Sequence, residues 1–461
     1  MINAACNKHV LFIIIYINMK HLFKLLIPAI IITSFVFVPS CTKYEAPVDP
    51  LIGNSGLPGN TTTLDVGQSV VLKPALGAGD RPITIIWKRD GQIVSRDFTY
   101  TFTATAYGEY KVQYLVQNAS GSATVEYTII VKAPYQDGFF LFNEGWFGHD
   151  NGSINFWHTG TDTIETDVFV KNNPGKALGL STQSGSVYKG NVYMVSKQGP
   201  LVAANALTMK EAGRIAMLPA EGRSFLGIDA NAALLSTADG VYRLTLSPLA
   251  VGDKIAGIDG EAGNMIKSGN RVFVFTQDKG VVVINSGTWT VEKEVGAAVD
   301  AFVESNDGGI WYAYTNGLVK LDPSTLEADT IPVNVAIPNV YVYSAYYAGS
   351  LTYSKEQNAI YFLNDGGFTG SNIVYRYNIG DVSFSDEPFI TVPANRVFYS
   401  SGIRVNPATD ELIATTVQTG FGDNYQVNDL TFYNTSTGAQ IKKIAYTGYW
   451  FPALPVFHEA D

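Results

Sequence analysis

From Phe139 to Phe457 the chain alternates short apolar runs with turns rich in Gly, Asn and Asp. One copy of the pattern is a turn, an apolar strand, a second turn, a second apolar strand ending at Asp or Asn, and a third strand. Copies read GNVYMVSKQGPLVAAN from Gly190, AALLSTADGVYRLTL from Ala232, GNRVFVFTQDKGVVVIN from Gly269 and GGIWYAYTNGLVKLDPSTL from Gly308. Others begin at Asn358 and Asp410, and FFLFNEGWFGHDNGSINFWHTG from Phe139 makes a seventh. Self-similarity at roughly 40 residues with short strands predicts a propeller in which each copy is one four-stranded blade. One blade cannot bury both of its faces, whereas a closed ring can. The expectation is an all-β chain with a seven-bladed β-propeller over residues 139–461. The first copy supplies only three strands, Phe139–Asn143, Ser153–His158 and Asp162–Val170. An apolar strand, Trp450–Phe457, is left over after the seventh. Inserted as the innermost strand of the first blade, it closes the ring without a long open edge.

Ahead of the ring, residues 66–133 read as a small β-sandwich. Tyr110, Val112, Tyr114 and Val116 alternate with Lys111, Gln113, Leu115 and Gln117, the period of a half-buried strand. Trp87 is expected in its core, and Arg89–Gln92 as a hairpin turn. Residues 41–65, with Pro47, Pro50, Pro58 and LIGNSGLPGN, read as a flexible linker. Residues 1–40 hold no acid; Lys20 and Lys24 precede the apolar Leu25–Val38 and then Val-Pro-Ser-Cys41. A small residue before Cys after such a run resembles a lipoprotein signal, with Cys41 lipidated and Met19 a possible true start. A single-pass anchor over residues 10–38 is the alternative. Cys41 is the only Cys after Cys6, which leaves no disulfide in a processed chain.

Composition narrows the function by exclusion. The net charge is −10, and without the lysines of the first 40 residues the balance is 28 basic to 41 acidic residues. No basic cluster is present, which argues against a nucleic-acid partner. The chain has no HExxH, GxSxG, Walker or GxGxxG motif, and past residue 40 only His149, His158 and His458. Turn chemistry explains Asp365-Gly-Gly better than calcium binding does, and His149 near Glu144 and Asp150 reads as a solvated loop residue. No catalytic or metal site is expected, and no cofactor. A propeller lyase or hydrolase is the enzymatic alternative.

Loop lengths are the remaining signal. With blade strands A to D from the axis outwards, B–C and D–A loops open on one face. Most B–C loops are tight, as at Ala238-Asp239-Gly240 and Thr315-Asn316-Gly317. Three are long and aromatic: Glu144–Asn151 with Trp146 and Phe147, Asp365–Ser371 with Phe368, and Gln418–Asn428 with Phe421 and Tyr425. The D–A connections between the same blades are long as well. Asn334–Tyr347 carries Tyr341, Tyr343, Tyr346 and Tyr347; Pro393–Ser401 carries Arg396, Phe398 and Tyr399; Tyr446–Phe451 carries Tyr449 and Trp450. Long loops on an economical scaffold tend to carry function, and aromatics give contact area with few rotors to freeze. The predicted ligand-binding residues are Trp146, Phe147, Phe368, Arg396, Tyr399, Phe421, Tyr425, Tyr449 and Trp450. The competing reading places Tyr346, Tyr399 and Trp450 as core residues between blades.

Two resemblances sharpen these expectations. Gly108-x-Tyr110-x-Val112 with Val116-x-Asn118-x-x-Gly121 is similar to PKD and bacterial Ig-like modules, usually spacers. GNVYMV…GPLVAANALTMKEAGRI and GLVKLDPSTLEADTI resemble YncE-like seven-bladed propellers. The opening FFLFNEGWFGHDNGSINFWHTGT and closing GYWFPALPVF are similar to a family of surface lipoproteins of gut Gram-negative bacteria. Some members of that family bind cobalamin over a TonB-dependent outer-membrane transporter. The resemblance implies a lipid-anchored, cell-surface protein of the outer membrane that captures cobalamin or a related nutrient. A glycan- or protein-binding adhesion module is the alternative.

Overall fold

A computed structural model describes residues 48–77, 83–342, 345–367 and 370–459. The signal segment 1–40, Cys41, Tyr343 and Phe368 lie outside them. The described chain is all-β, with one five-residue α-helix.

Among the described residues, seven four-stranded antiparallel sheets follow the sequence repeats. Each takes its innermost strand first: Leu180–Tyr188 in sheet II, Gly222–Gly227 in III, Ala262–Ser268 in IV, Asp300–Glu304 in V, Thr352–Ser354 in VI and Arg396–Val405 in VII. Sheet I is the exception. Its three leading strands, Gly138–Asn143, Ser153–His158 and Ile164–Glu165, are completed by Pro452–Phe457 from the far end of the chain. Phe140 pairs with Val456 and Phe142 with Leu454. Each innermost strand packs on the next, and that of sheet VII returns to the one in sheet I.

The run Phe139-Phe-Leu-Phe142 explains why these sheets stack. Phe140 and Phe142 point into a core shared with Val192 and Met194 of sheet II. Phe139 and Leu141 point the other way, against Ile413, Leu430 and Phe432 of sheet VII. Alternation still holds, but both faces are buried, so the strand is apolar throughout. Burying one such side chain contributes about 1.5–3 kcal/mol.

Three elements depart from the sequence reading. Residues 162–170 give a two-residue strand, Ile164–Glu165, and then a helix, Val168–Asn172. The helical turn lets consecutive Val168 and Phe169 both enter the core, which a strand's alternation forbids. Asn173 closes it, donating to Phe169 O and Met209 O at 2.8 and 2.7 Å. Second, the predicted linker is partly structured. Thr61–Asp65 forms a strand parallel to Ser122–Lys132, with Leu64 packed on the core. That sheet has five strands and faces the pair Ser69–Leu72 and Tyr100–Thr103, around buried Trp87, Phe102, Tyr114 and Tyr127.

The third departure positions the site. The connection between sheets V and VI runs into the middle of the ring. Tyr341–Val342 and Ala345–Tyr346 pair there as a small hairpin. The Tyr346 hydroxyl donates to Asn264 Oδ1 of sheet IV at 2.6 Å, and Tyr341 to Phe275 O at 3.3 Å. Gly263 makes room: a Cβ there would lie 2.5 Å from the Tyr346 ring and 2.6 Å from the Tyr341 hydroxyl. Arg404 of sheet VII and Asn264 both donate to Ala348 O, at 3.1 and 2.6 Å. Tyr341 and Tyr346 are therefore interior groups and not part of the rim.

Candidate functional site

A cavity of about 340 Å³ opens where the long loops of sheets V, VI, VII and I converge. Tyr347, Tyr399, Tyr425, Phe421 and Phe451 form its aromatic wall, with Leu363, Val397 and Phe398. Asp300, Ser350, Asn364, Asp365 and Ser371 supply polar groups, and four glycines keep the mouth open. Asp300 is fully buried and accepts from the Ser350 N–H at 2.7 Å and its hydroxyl at 3.1 Å.

The backbone supports this wall in conformations unusual for bulky residues. Phe421 (φ 60°, ψ −178°) sits between Gly420 and Gly422, both also at positive φ. Phe451 has φ 57°. Such positions cost on the order of 1–3 kcal/mol each and persist where the surroundings fix them. The Glu144 N–H donates to Phe451 O at 2.9 Å, and the Gly145 N–H to Trp450 O at 3.2 Å. The first loop of sheet I thereby clamps the segment that leads into the closing strand.

From the cavity a row of rings continues to the surface. Tyr347 meets Tyr399 edge-on at 5.9 Å, and Tyr399 stacks on Phe451 at 5.0 Å. Phe451 neighbours Trp450 at 5.7 Å, and Trp450 neighbours Trp146 at 4.6 Å. Trp146 stacks on His149 at 4.1 Å. Lys197 lies over the exposed Phe147 ring at 5.0 Å.

The predicted site residues therefore divide. Tyr399, Phe421 and Tyr425 line the cavity; Trp146, Trp450 and Phe147 extend it along the rim. Arg396 and Tyr449 are turned to other partners. Arg396 pairs with buried Asp429 at 3.0 Å and donates to Val427 O at 2.5 Å. The Tyr449 hydroxyl donates to Asp167 at 2.6 Å, and burial, helped by that bond, pushes its pKa up to about 12. The first pair lies within sheet VII, and the second ties the loop after that sheet to the segment following the outer strand of sheet I. Phe368 lies outside the described residues.

Phe451 is absent from the predicted ligand-binding residues because in the sequence it opens an apolar strand, and Glu144 because it reads as a loop acid beside His149 and Asp150. Glu144 is buried where sheets I, II and VII meet. Burial pushes its carboxyl up to about 8, against the opposing pull of Gln183, Tyr399 and Lys197. The Tyr399 hydroxyl donates to its Oε2 at 3.3 Å. Among the described residues no group of three His, Cys, Asp or Glu is arranged to hold a metal ion.

Comparison with known proteins adds family and fold. A family described as a domain of unknown function (DUF5074) matches residues 137–458, the whole span of the seven sheets. A crystal structure of a quinonprotein alcohol dehydrogenase-like protein from Bacteroides thetaiotaomicron is similar, with a TM-score of 0.54 at 17% identity. The match covers 88% of this chain and 99% of that one, and at this identity it shows a shared propeller-like fold. Among curated proteins none matches in sequence.

Proposed function

We propose, for a chain that belongs to the DUF5074 family, that it is a surface ligand-capture module. Its parts are a closed seven-bladed, YncE-like propeller, an Ig- or PKD-like sandwich spanning about residues 66–133 that spaces the ring from the membrane, and a lipid on Cys41. The ring takes cobalamin or a related nutrient on its aromatic face and passes it to a TonB-dependent outer-membrane transporter. The observation that carries this reading is the unbroken row of rings from Tyr347 in the cavity to Trp146 at the rim. Flat rigid groups left half-exposed in this way bind broad, partly apolar ligands at small entropic cost. A corrinoid has that form, with apolar edges and a fringe of amides.

A second reading is favoured by the cavity itself. Its volume suits one or two sugar rings better than a whole corrinoid, and its Asp, Asn and Ser groups accept and donate to hydroxyls. On that reading the module is a glycan-binding adhesin. A quinone-dependent dehydrogenase is less well supported. An anionic quinone would meet Asp300 and Asp365, and neither Lys nor Arg is among the described residues lining the cavity.

Calorimetric titration of the chain lacking residues 1–41 separates the readings. Saturable heat with micromolar cyanocobalamin is expected. Silence with cyanocobalamin and retention on an oligosaccharide array would replace the first reading with the second.

A further inference from the structure

We propose that the cavity selects a quaternary ammonium group, seated against aromatic ring faces with the Asp365 carboxylate beside it; this rests on the ligand-capture reading and concerns the cavity rather than the row of rings that leads out of it. Neighbouring rings of its wall stand steeply to one another. Tyr347 meets Tyr399 at 89°, Phe451 meets Tyr425 at 82° and Phe421 meets Tyr425 at 67°, with centroids 5.9, 5.4 and 5.3 Å apart. Rings so disposed make corners, and a corner offers a ligand ring face as well as ring edge. The faces carry the negative part of the aromatic quadrupole and attract cations. Tyr399 commits its hydroxyl to Glu144 Oε2, so its ring is the part left for a ligand. Elsewhere in the molecule such faces are already covered, Phe389 by Arg376 at 4.8 Å and Phe147 by Lys197 at 5.0 Å. Among the described residues no Lys or Arg covers Tyr399, Tyr425 or Phe451.

Charge points the same way. Asp300 and Asp365 line the cavity, and the described lining residues include no Lys or Arg. Asp300 is already answered: the Ser350 and Leu351 N–H groups donate to it at 2.7 and 3.3 Å, and Arg404 acts on it electrostatically. Asp365 is exposed, accepts from the Gly367 N–H at 2.8 Å and forms no ion pair among the described residues. Its carboxylate is the charge left for a ligand. The rings decide which kind of cation fits. A primary ammonium is strongly hydrated and carries three donors, and ring faces are poor acceptors for them. Losing that water without replacement is costly. A quaternary ammonium has no N–H to satisfy; its methyl groups pack on the rings while its charge meets their faces. The net charge of −10 favours its approach.

Choline and 3,3-dimethylbutan-1-ol test this directly, because they share a shape and differ in the charge at one atom. Ligand-observed NMR titration of the full chain, in a polyoxyethylene detergent that brings no ammonium group of its own, compares them. Choline is expected to bind about tenfold more tightly. Its N-methyl proton signal should move upfield on binding, since protons over a ring face are shielded. Asp365→Asn and Phe421→Leu, both at exposed positions, should each cut choline's advantage severalfold. Should either variant fail to melt cooperatively, the other and the upfield shift in the parent decide the matter. Equal binding of the two probes, no binding of choline at millimolar concentration, or an advantage that survives the substitutions overturns the inference. Choline binding with silence toward cyanocobalamin would remove the corrinoid reading and leave the cation site standing. Saturable binding of cyanocobalamin without choline would do the reverse.

Discussion

Glu144 links one residue's environment to a property of the whole fold. In the unfolded chain its carboxyl ionises near the ordinary value of 4.5, whereas burial holds it protonated in the folded protein up to about 8. Between those values the folded state binds one more proton than the unfolded state. Its contribution to stability is therefore fully present at acid pH and falls as pH rises through the window. The slope is at most roughly 1.4 kcal/mol per pH unit, and it levels above pH 8. Glu144→Gln removes the titration and keeps the shape. Thermal melts from pH 5 to 8.5 should show the variant gaining on the parent as pH rises, with the largest difference at the alkaline end. Parallel curves would place the ionisation elsewhere. Tyr449 and Arg396 teach the reverse lesson. Both are polar residues on long loops, and sequence position alone favoured a ligand role. Their hydrogen-bonding capacity is directed to Asp167 and Asp429. A long loop identifies where exposed chemistry collects, but only the partner's position shows whether a given side chain is already engaged.

At the scale of elements, the hairpin inside the ring and the closing strand are the two non-local features on which the architecture turns. The hairpin depends on Gly263, whose missing Cβ leaves the space that Tyr341 and Tyr346 occupy. Gly263→Val should lower stability by about 1–3 kcal/mol through overpacking and loosen the neighbouring cavity wall at Tyr347. A chemical-denaturation midpoint equal to the parent's would show that the hairpin yields easily. The strand Pro452–Phe457 adds buried Ala453, Leu454 and Val456 to sheet I. Deleting residues 448–461 exposes Phe140 and Phe142 and opens the ring, so the cooperative melt should disappear. An unchanged melt in the truncated chain would contradict closure by this strand. The repeat and the unpaired last strand were legible because strand alternation and turn residues are local signals that recur. The strand at Thr61–Asp65, the helix at Val168–Asn172 and the interior course of Tyr341–Tyr346 were not. Each is fixed by what it packs against, and none carries a periodic pattern of its own. The cavity shows the same division. Tyr399, Phe421 and Tyr425 stood out as aromatics on long loops. Phe451 was hidden at the start of an apolar strand, and nothing local distinguishes Glu144 from a solvated acid.

At the scale of the molecule, the ring brings together side chains that lie far apart in sequence. Glu144 and Tyr399 are separated by 255 residues and meet across the closure seam. The same seam places the Trp146 loop beside the Tyr399 and Phe451 wall, so folding and assembly of the site are one event. Sheets II to IV, with their tight loops, serve as the rigid remainder of the ring. On the proposed reading, ligand capture belongs to this one sector of the ring. Hydrogen–deuterium exchange with and without saturating cyanocobalamin tests it most directly. Protection is predicted in residues 144–151, 338–350, 364–371, 396–402, 418–428 and 447–451, with little change in the tight loops of sheets II to IV. No protection anywhere, or protection confined to the sandwich or to the opposite face of the ring, would contradict it.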